Sequence, residues 1–275
     1  MKKLTKQTMA IFFLLASMLV LAACSEKTDN AKTEKQEEKE AAAPLFAYVG
    51  AGLKEPVEEI IAMYEEEFDQ KVEVSYNHSG GLLTQLDTAK TGDIFMPGGM
   101  TFVQTAEEKG HIQMIEGPIA YHTPVVITPK DNPANIQSIY DLAKENVELI
   151  VPELESTALG KTAKKIFENT KLGAEIEKRI LTSVETGPKV AATLQLGQGN
   201  AALAEYSAWA KQKDQFHLVE IDPAINLVDE IPCATTTYSE QPEAAEQFAK
   251  FVADKGPEVF EKHGFKITPP AAVNQ

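Results

Sequence analysis

The chain has 275 residues, with 41 acidic against 26 basic side chains and a net charge of −15. That balance excludes a nucleic-acid binder, whose affinity rests on Lys and Arg contacts to phosphate, and it excludes broad electrostatic capture of anions. At 43% hydrophobic and 24% charged, the composition is that of a soluble globular protein with one large domain or two smaller ones.

The chain opens on Lys2, Lys3 and Lys6, then an apolar run from Met9 to Val20 that is short for a membrane span, then LAAC. This order predicts a secretory signal peptide over residues 1–23. The Leu-Ala-Ala-Cys ending resembles the lipobox of bacterial lipoproteins, which makes Cys24 the lipid-bearing N-terminus of an extracytoplasmic protein anchored to the cell membrane. Cleavage removes the three lysines and takes the mature chain to −18. Residues 25–44 hold ten charged residues in twenty, without an aromatic residue or Gly, so 24–44 read as a disordered linker between lipid and fold. The other cysteine, Cys233, has no internal partner and lies between apolar stretches, as a packed core thiol would.

From Leu45 onward, short apolar runs alternate with helical periods. LFAYV reads as a strand. Leu53, Val57, Ile60, Ile61, Tyr64 and Phe68 share one helical face, with Pro56 in the first turn. Val72, Val74 and Tyr76 alternate as a strand, LLTQLDTAK is a short helix, DIFM a short strand, and TFVQTAEEKG a helix stopped at Gly110. Beyond residue 122 the character repeats. TPVVITP, VELIVP, AALA and HLVEID read as strands. SIYDLAKE, TALGKTAKKIFENT, GAEIEKRILTS and PKVAATLQLGQ read as helices, as do PEAAEQFAKFVAD and EVFEKHGF in the tail. Such alternation predicts an α/β fold with largely parallel sheets flanked by helices.

Three junctions combine a strand end, a small-residue turn and a helix start: YVGAGLKEP at 48–56, YNHSGGLLTQL at 76–86 and VPELESTALGKTAKK at 151–165. Helix N-termini expose unpaired N–H groups and partial positive charge, so such junctions hold anions without Lys or Arg. Taken singly, each is first a structural feature: Ser79 caps a helix, and Gly50 and Gly52 make a tight turn. Together, at the carboxyl ends of strands in an α/β sheet, they point to binding. In the second junction, Gly80 and Gly81 would let an anion reach the helix N–H groups. Gly160-Lys161-Thr162 ends like a phosphate-binding loop but lacks the glycine five residues earlier, where Glu155 stands. No catalytic motif occurs, the five histidines have no metal-ligand spacing, and His78 reads as a polar residue at the cleft rim. An enzyme is not expected, and neither is a cofactor.

AYVGAGLKEPVEEI, YNHSGGLLTQL and TGDIF, followed in order by VVITPKDNP, VPELESTALGKTA, LQLGQGNAALAEY and PEAAEQFAKFV…FEKHGF, resemble the periplasmic molybdate-binding protein family over about residues 45–268. The resemblance implies a two-lobed solute-binding protein that serves an ABC transporter and closes on its ligand by hinge bending. It places the crossings near 121–123 and 232–236, with lobe one as 45–122 plus 235–275 and lobe two as 123–234. It implies a monomer whose partners are a small oxyanion and an ABC transporter permease. The ligand would be a tetrahedral oxyanion, molybdate or tungstate first, held by neutral donors. Carried over residue by residue, these are Ser79, Ser156 or its neighbour Thr157, the backbone of Val190, and Tyr206. The family's first serine is replaced here by Gly52, which removes one hydroxyl donor and opens the choice to other oxyanions; a related transport protein for sulfate, phosphate or ferric ion is the nearest alternative. A sensor lipoprotein that reuses the fold is a further alternative.

Overall fold

The computed structural model describes residues 42–269. The signal peptide 1–23, the lipid site Cys24, most of the linker and the last residues of lobe one lie outside the described residues.

Two five-stranded sheets carry the fold. The first has the order β2-β1-β3-β10-β4, built from β1 (Leu45–Gly50), β2 (Val72–Asn77), β3 (Ile94–Met96), β4 (Ile112–His122) and β10 (Asp229–Thr236). The second has the order β7-β6-β8-β5-β9, from β5 (Pro124–Pro129), β6 (Leu149–Pro152), β7 (Ile180–Val184), β8 (Ala201–Glu205) and β9 (Phe216–Val219). Both sheets are mixed. β1 pairs parallel with β2 and β3, and β6 with β7 and β8, whereas β10 and β5 run antiparallel to both their neighbours. The expected largely parallel arrangement therefore holds only for half of the pairings. The fold is two-lobed α/β.

Period-2 alternation along β1 explains how one strand serves two cores. Leu45, Ala47 and Val49 face α1 (Lys54–Phe68) and α8 (Pro242–Lys262), meeting Ile60, Tyr64, Phe248 and Val252. Tyr48 faces the other way, onto Leu82 and Leu86 of α2 (Ser79–Ala89) and Val103 of α3 (Met100–Glu108). The second sheet is sandwiched likewise. Leu149 and Val151 pack on Ile166 and Phe167 of α4 (Ala158–Asn169), while Ile150 packs on Val190 and Leu194 of α6 (Gly187–Gln195). Each of the buried Leu, Ile, Val and Phe side chains among these contributes about 1.5–3 kcal/mol relative to exposure.

Three of the expected elements take another form. GAEIEKRILTS is not one helix: α5 (Gly173–Glu177) ends early, and Ile180–Val184 becomes β7, an edge strand with alternating half-burial beside β6. The SIYDLAKE stretch is a 3-10 helix over Ile139–Ala143, entered through a Ser138/Asp141 capping box. The tail is one helix with Pro257 inside it, not two. A short helix not foreseen, α7 (Tyr206–Ala210), follows β8.

The chain passes from the first sheet to the second between His122, the last residue of β4, and Pro124, the first of β5. It returns between β9 and β10. Residues 232–236, expected at the second crossing, lie inside β10, which pairs with β3 and β4. Residues 229–234 therefore belong to the first lobe's sheet. The return falls earlier because Asp229 must already pair with His122 across the ladder. Among the described residues, no helix is long and apolar enough to cross a membrane.

Candidate ligand-binding site

A cavity of about 300 Å³ lies between the lobes, at the carboxyl ends of the strands. Five strand-to-helix transitions converge on it. β1 runs into a 3-10 turn, Ala51–Leu53, that starts α1. β2 feeds α2, β6 leads to α4, β7 to α6, and β8 to α7. The lining includes Gly52, Ser79, Thr157 and Ala158, Gly187, and Ser207 with Lys211.

Ser79 opens α2 and is 4% exposed. It does not cap the helix. His78 is the N-cap, its Nδ1 accepting from the Gly81 N–H at 3.0 Å. The Ser79 Oγ accepts from the Gly98 N–H at 3.0 Å, which leaves its own proton to donate elsewhere. The Gly80 N–H donates to the Ser156 carbonyl oxygen at 3.0 Å. The two glycines therefore serve the contact between lobes and the cap, and their N–H groups are not open to an anion. Gly52 lines the cavity, where a Cβ would have only Pro188 Cδ nearby, at 3.9 Å.

The third junction is divided. Thr157 lines the cavity, but its hydroxyl donates to the Glu153 carbonyl and accepts from the Gly160 N–H, both at 2.8 Å. It is an N-cap. The first-turn residues Ala158 and Leu159, whose N–H groups have no partner within the helix, reach the cavity instead. The Ser156 hydroxyl donates to Glu153 Oε2 at 2.8 Å on the exposed side and does not line the cavity.

Two further expected residues are absent from the lining. The Val190 side chain is fully buried against Ile150, and at this helix Thr186 and Gly187 face the cleft. The Tyr206 ring lies tilted beside Trp209, with Lys266 Nζ 4.2 Å from its centroid. The neighbouring position, Glu205, takes the cleft-facing place.

Glu205 belongs to a charged group that sequence reasoning missed. His122 and Glu205 both line the cavity, with Nδ1 and Oε1 3.0 Å apart but off the line of a hydrogen bond. Both ring nitrogens of His122 and Glu205 Oε1 are buried without a hydrogen-bond partner among the described residues. Asp229 sits behind them, accepting from the Met100 N–H at 3.2 Å. Burial opposes a charge on His122, but the Glu205 and Asp229 carboxylates outweigh it and raise the imidazole pKa. Burial also pushes the Asp229 carboxyl above its ordinary value, with His122 pulling the other way. At the cavity rim, Lys211 of the second lobe pairs with Glu55 of the first and holds the Glu55 carboxyl below its ordinary value, against a smaller opposing effect of burial. The one sequence signal for this group was Glu205 itself, an acid ending an otherwise apolar strand.

Residues 45–266 match the family model for bacterial extracellular solute-binding protein. A relative from Haemophilus influenzae, named only as a binding protein, is 33% identical over 225 residues, covering 82% of this chain and 91% of its own. A molybdate-binding protein from Mycobacterium tuberculosis is 24% identical over 195 residues, 70% of this chain and 73% of its own. The substrate-binding domain of a molybdenum ABC transporter from Clostridium difficile superposes with a TM-score of 0.63 at 22% identity, covering 82% of this chain and 99% of that one. With two lobes facing a cleft of helix N-termini, and a family match over nearly the whole folded region, this chain belongs to the bacterial extracellular solute-binding proteins.

Proposed function

We propose that this protein is the extracytoplasmic solute-binding component of an ABC importer, tethered through a lipid on Cys24, and that its solute is a small oxyanion. The observation that carries this reading is the convergence of neutral donors on one cavity. These are the Ser79 hydroxyl, whose oxygen already accepts from Gly98, and the first turns beginning at Ala51, Ala158 and Gly187. Local dipoles of this kind hold an anion despite the net charge of −15. The protein is a carrier that passes its ligand to a membrane permease as a monomer, with no reaction and no cofactor of its own.

Molybdate and tungstate stand first as ligands. The molybdate-binding relative and the molybdenum-transporter domain support that choice. A second reading, another oxyanion such as phosphate, is favoured by a specific observation: Tyr206 is turned away from the cavity while the Glu205 carboxylate lines it. A donor-only site suits a fully deprotonated dianion, whereas a carboxylate adds an acceptor.

A thermal-shift panel on the mature protein tests the reading. A ligand at a hundredfold its Kd stabilises by about 2.7 kcal/mol. Stabilisation by sub-millimolar molybdate, tungstate or phosphate is the expected result. Stabilisation by ferric ion alone, or by no anion, would overturn it.

A further inference from the structure

The Glu205 carboxylate is placed where an anion-binding cleft should least tolerate one. It ends β8 and lines the cavity, and its side chain is 12% exposed. Its Oε1 lies 3.0 Å from His122 Nδ1, off the line of a hydrogen bond. An ionised carboxylate only accepts hydrogen bonds. Beside a bound dianion that has no proton to give, it is repulsive, and burial strengthens the repulsion. His122 offsets part of this charge from one side, yet a carboxylate accepts at about four positions and His122 covers one oxygen.

Size points the same way. A tetrahedral anion of four oxygens occupies ~120 Å³ at the ~30 Å³ of a water-sized group. The cavity offers about 300 Å³. Beyond Ser79 and Gly52, the lining includes the polar side chains of Glu205, Ser207, Lys211 and Gln212.

We infer that the solute is a tetrahedral anion carrying an O–H group, either on the anion itself or on a short organic substituent, and that Glu205 accepts that O–H. This rests on the oxyanion reading above and, within it, takes the second ligand class over the molybdate and tungstate that similarity alone puts first. The anionic oxygens sit against Ser79 and the helix N-termini. The O–H sits against Glu205, which rejects anions that have no proton to donate.

The test is isothermal titration of the mature protein near neutral pH with four probes. Inorganic phosphate and glycerol 3-phosphate carry an O–H, and sulfate and molybdate do not. The expected result is that one or both phosphates bind tenfold or more tighter than sulfate and molybdate, about the effect of one charge-assisted hydrogen bond. Tighter binding of inorganic phosphate than of the ester puts the O–H on the anion, and binding of the ester alone puts it on the substituent. In Glu205→Gln the preference should collapse, with sulfate and molybdate gaining as the repulsion is removed. Wild-type preference for molybdate or sulfate overturns the inference and leaves the oxyanion reading standing. An equal loss for all four anions in Glu205→Gln also overturns it, since Glu205 would then act only by positioning His122. Absence of binding by any probe overturns both. The wild-type ranking decides even where the variant folds poorly, and Glu205→Asp, which keeps the charge, should keep the order of preference.

Discussion

The Gly80 N–H and the Ser156 carbonyl oxygen meet across the cleft at 3.0 Å, joining the start of α2 in the first lobe to the turn before α4 in the second. The contact exists because position 80 has no side chain: a Cβ there would lie 2.7 Å from that same oxygen. It is one of a set that closes the lobes, together with Lys161 Nζ 4.2 Å from the centroid of the Phe102 ring and the Glu55–Lys211 ion pair.

Gly80→Ala should therefore act on closure and not on folding. Alanine suits the first turn of a helix, so the melting temperature of the ligand-free protein should change little. Opening the Ser156 contact should weaken binding about tenfold, at a cost of roughly 1–2 kcal/mol. Calorimetry with scattering on the same sample checks both halves. Unchanged affinity would show that the lobes close without this contact.

Ser79→Ala should lower oxyanion affinity about tenfold or more, the loss of one hydrogen bond to a charged ligand. Thr157→Ala should behave differently. Its hydroxyl is spent on Glu153 and Gly160, so it should cost about 1 kcal/mol of stability through the lost cap, with a smaller effect on affinity. Paired titration and denaturant unfolding separate the two serial roles, and the reverse pattern would contradict the assignment.

Gly52→Ser restores a hydroxyl at the first junction. Only Pro188 Cδ, at 3.9 Å, lies near the new Cβ, so the variant should fold with stability within about 0.5 kcal/mol of wild type. It should bind oxyanions several-fold tighter, with ~1 kcal/mol gained from a new hydrogen bond. Weaker binding would mean that the added hydroxyl occupies space the ligand needs.

The His122–Glu205–Asp229 group makes stability depend on pH. His122 has a folded pKa above its ordinary 6.5, so the stabilisation it supplies is full below that value and is lost as pH rises through the raised one. Asp229, raised from 3.8, contributes with the same sign in a more acid window. The melting temperature of the mature protein should fall from neutral pH toward alkaline pH more steeply than that of His122→Gln. Parallel profiles for the two proteins would remove His122 from the account.

Cys233 is fully buried in the first lobe's core, and burial pushes its thiol up to about 12. In a Cys24→Ser variant, the native protein should resist thiol reagents at mildly alkaline pH and react only on unfolding. Rapid labelling of the native state would show that this core opens.

The alternation of strands and helices was readable wherever a period was complete: β1 to α2 and α4 follow from apolar spacing alone. β4 and β10 were not read as strands. Their pairing shifts register at two places, and such irregularities break the period-2 pattern in each strand. Ile180–Val184 passed for helix because an edge strand buries only alternate residues, leaving Leu181 54% exposed between them.

The chain by itself determined that three strand-to-helix junctions with small residues exist, and that Gly52, Ser79 and Thr157 stand at them. A turn followed by a helix start is local in the backbone, and its N–H groups point along the helix axis whatever surrounds it. Only the tertiary structure decided which side chains enter the cavity. Ser156 turns outward to Glu153, Val190 is sealed in the core and Tyr206 lies under Lys266, each according to what packs against its element. His122, Glu205 and Asp229 come from three strands far apart in the chain, and no spacing connects them. The pairing of β4 with β10 and of β5 with β8 brings them together, and the two carboxylates then raise the His122 imidazole pKa against the effect of burial.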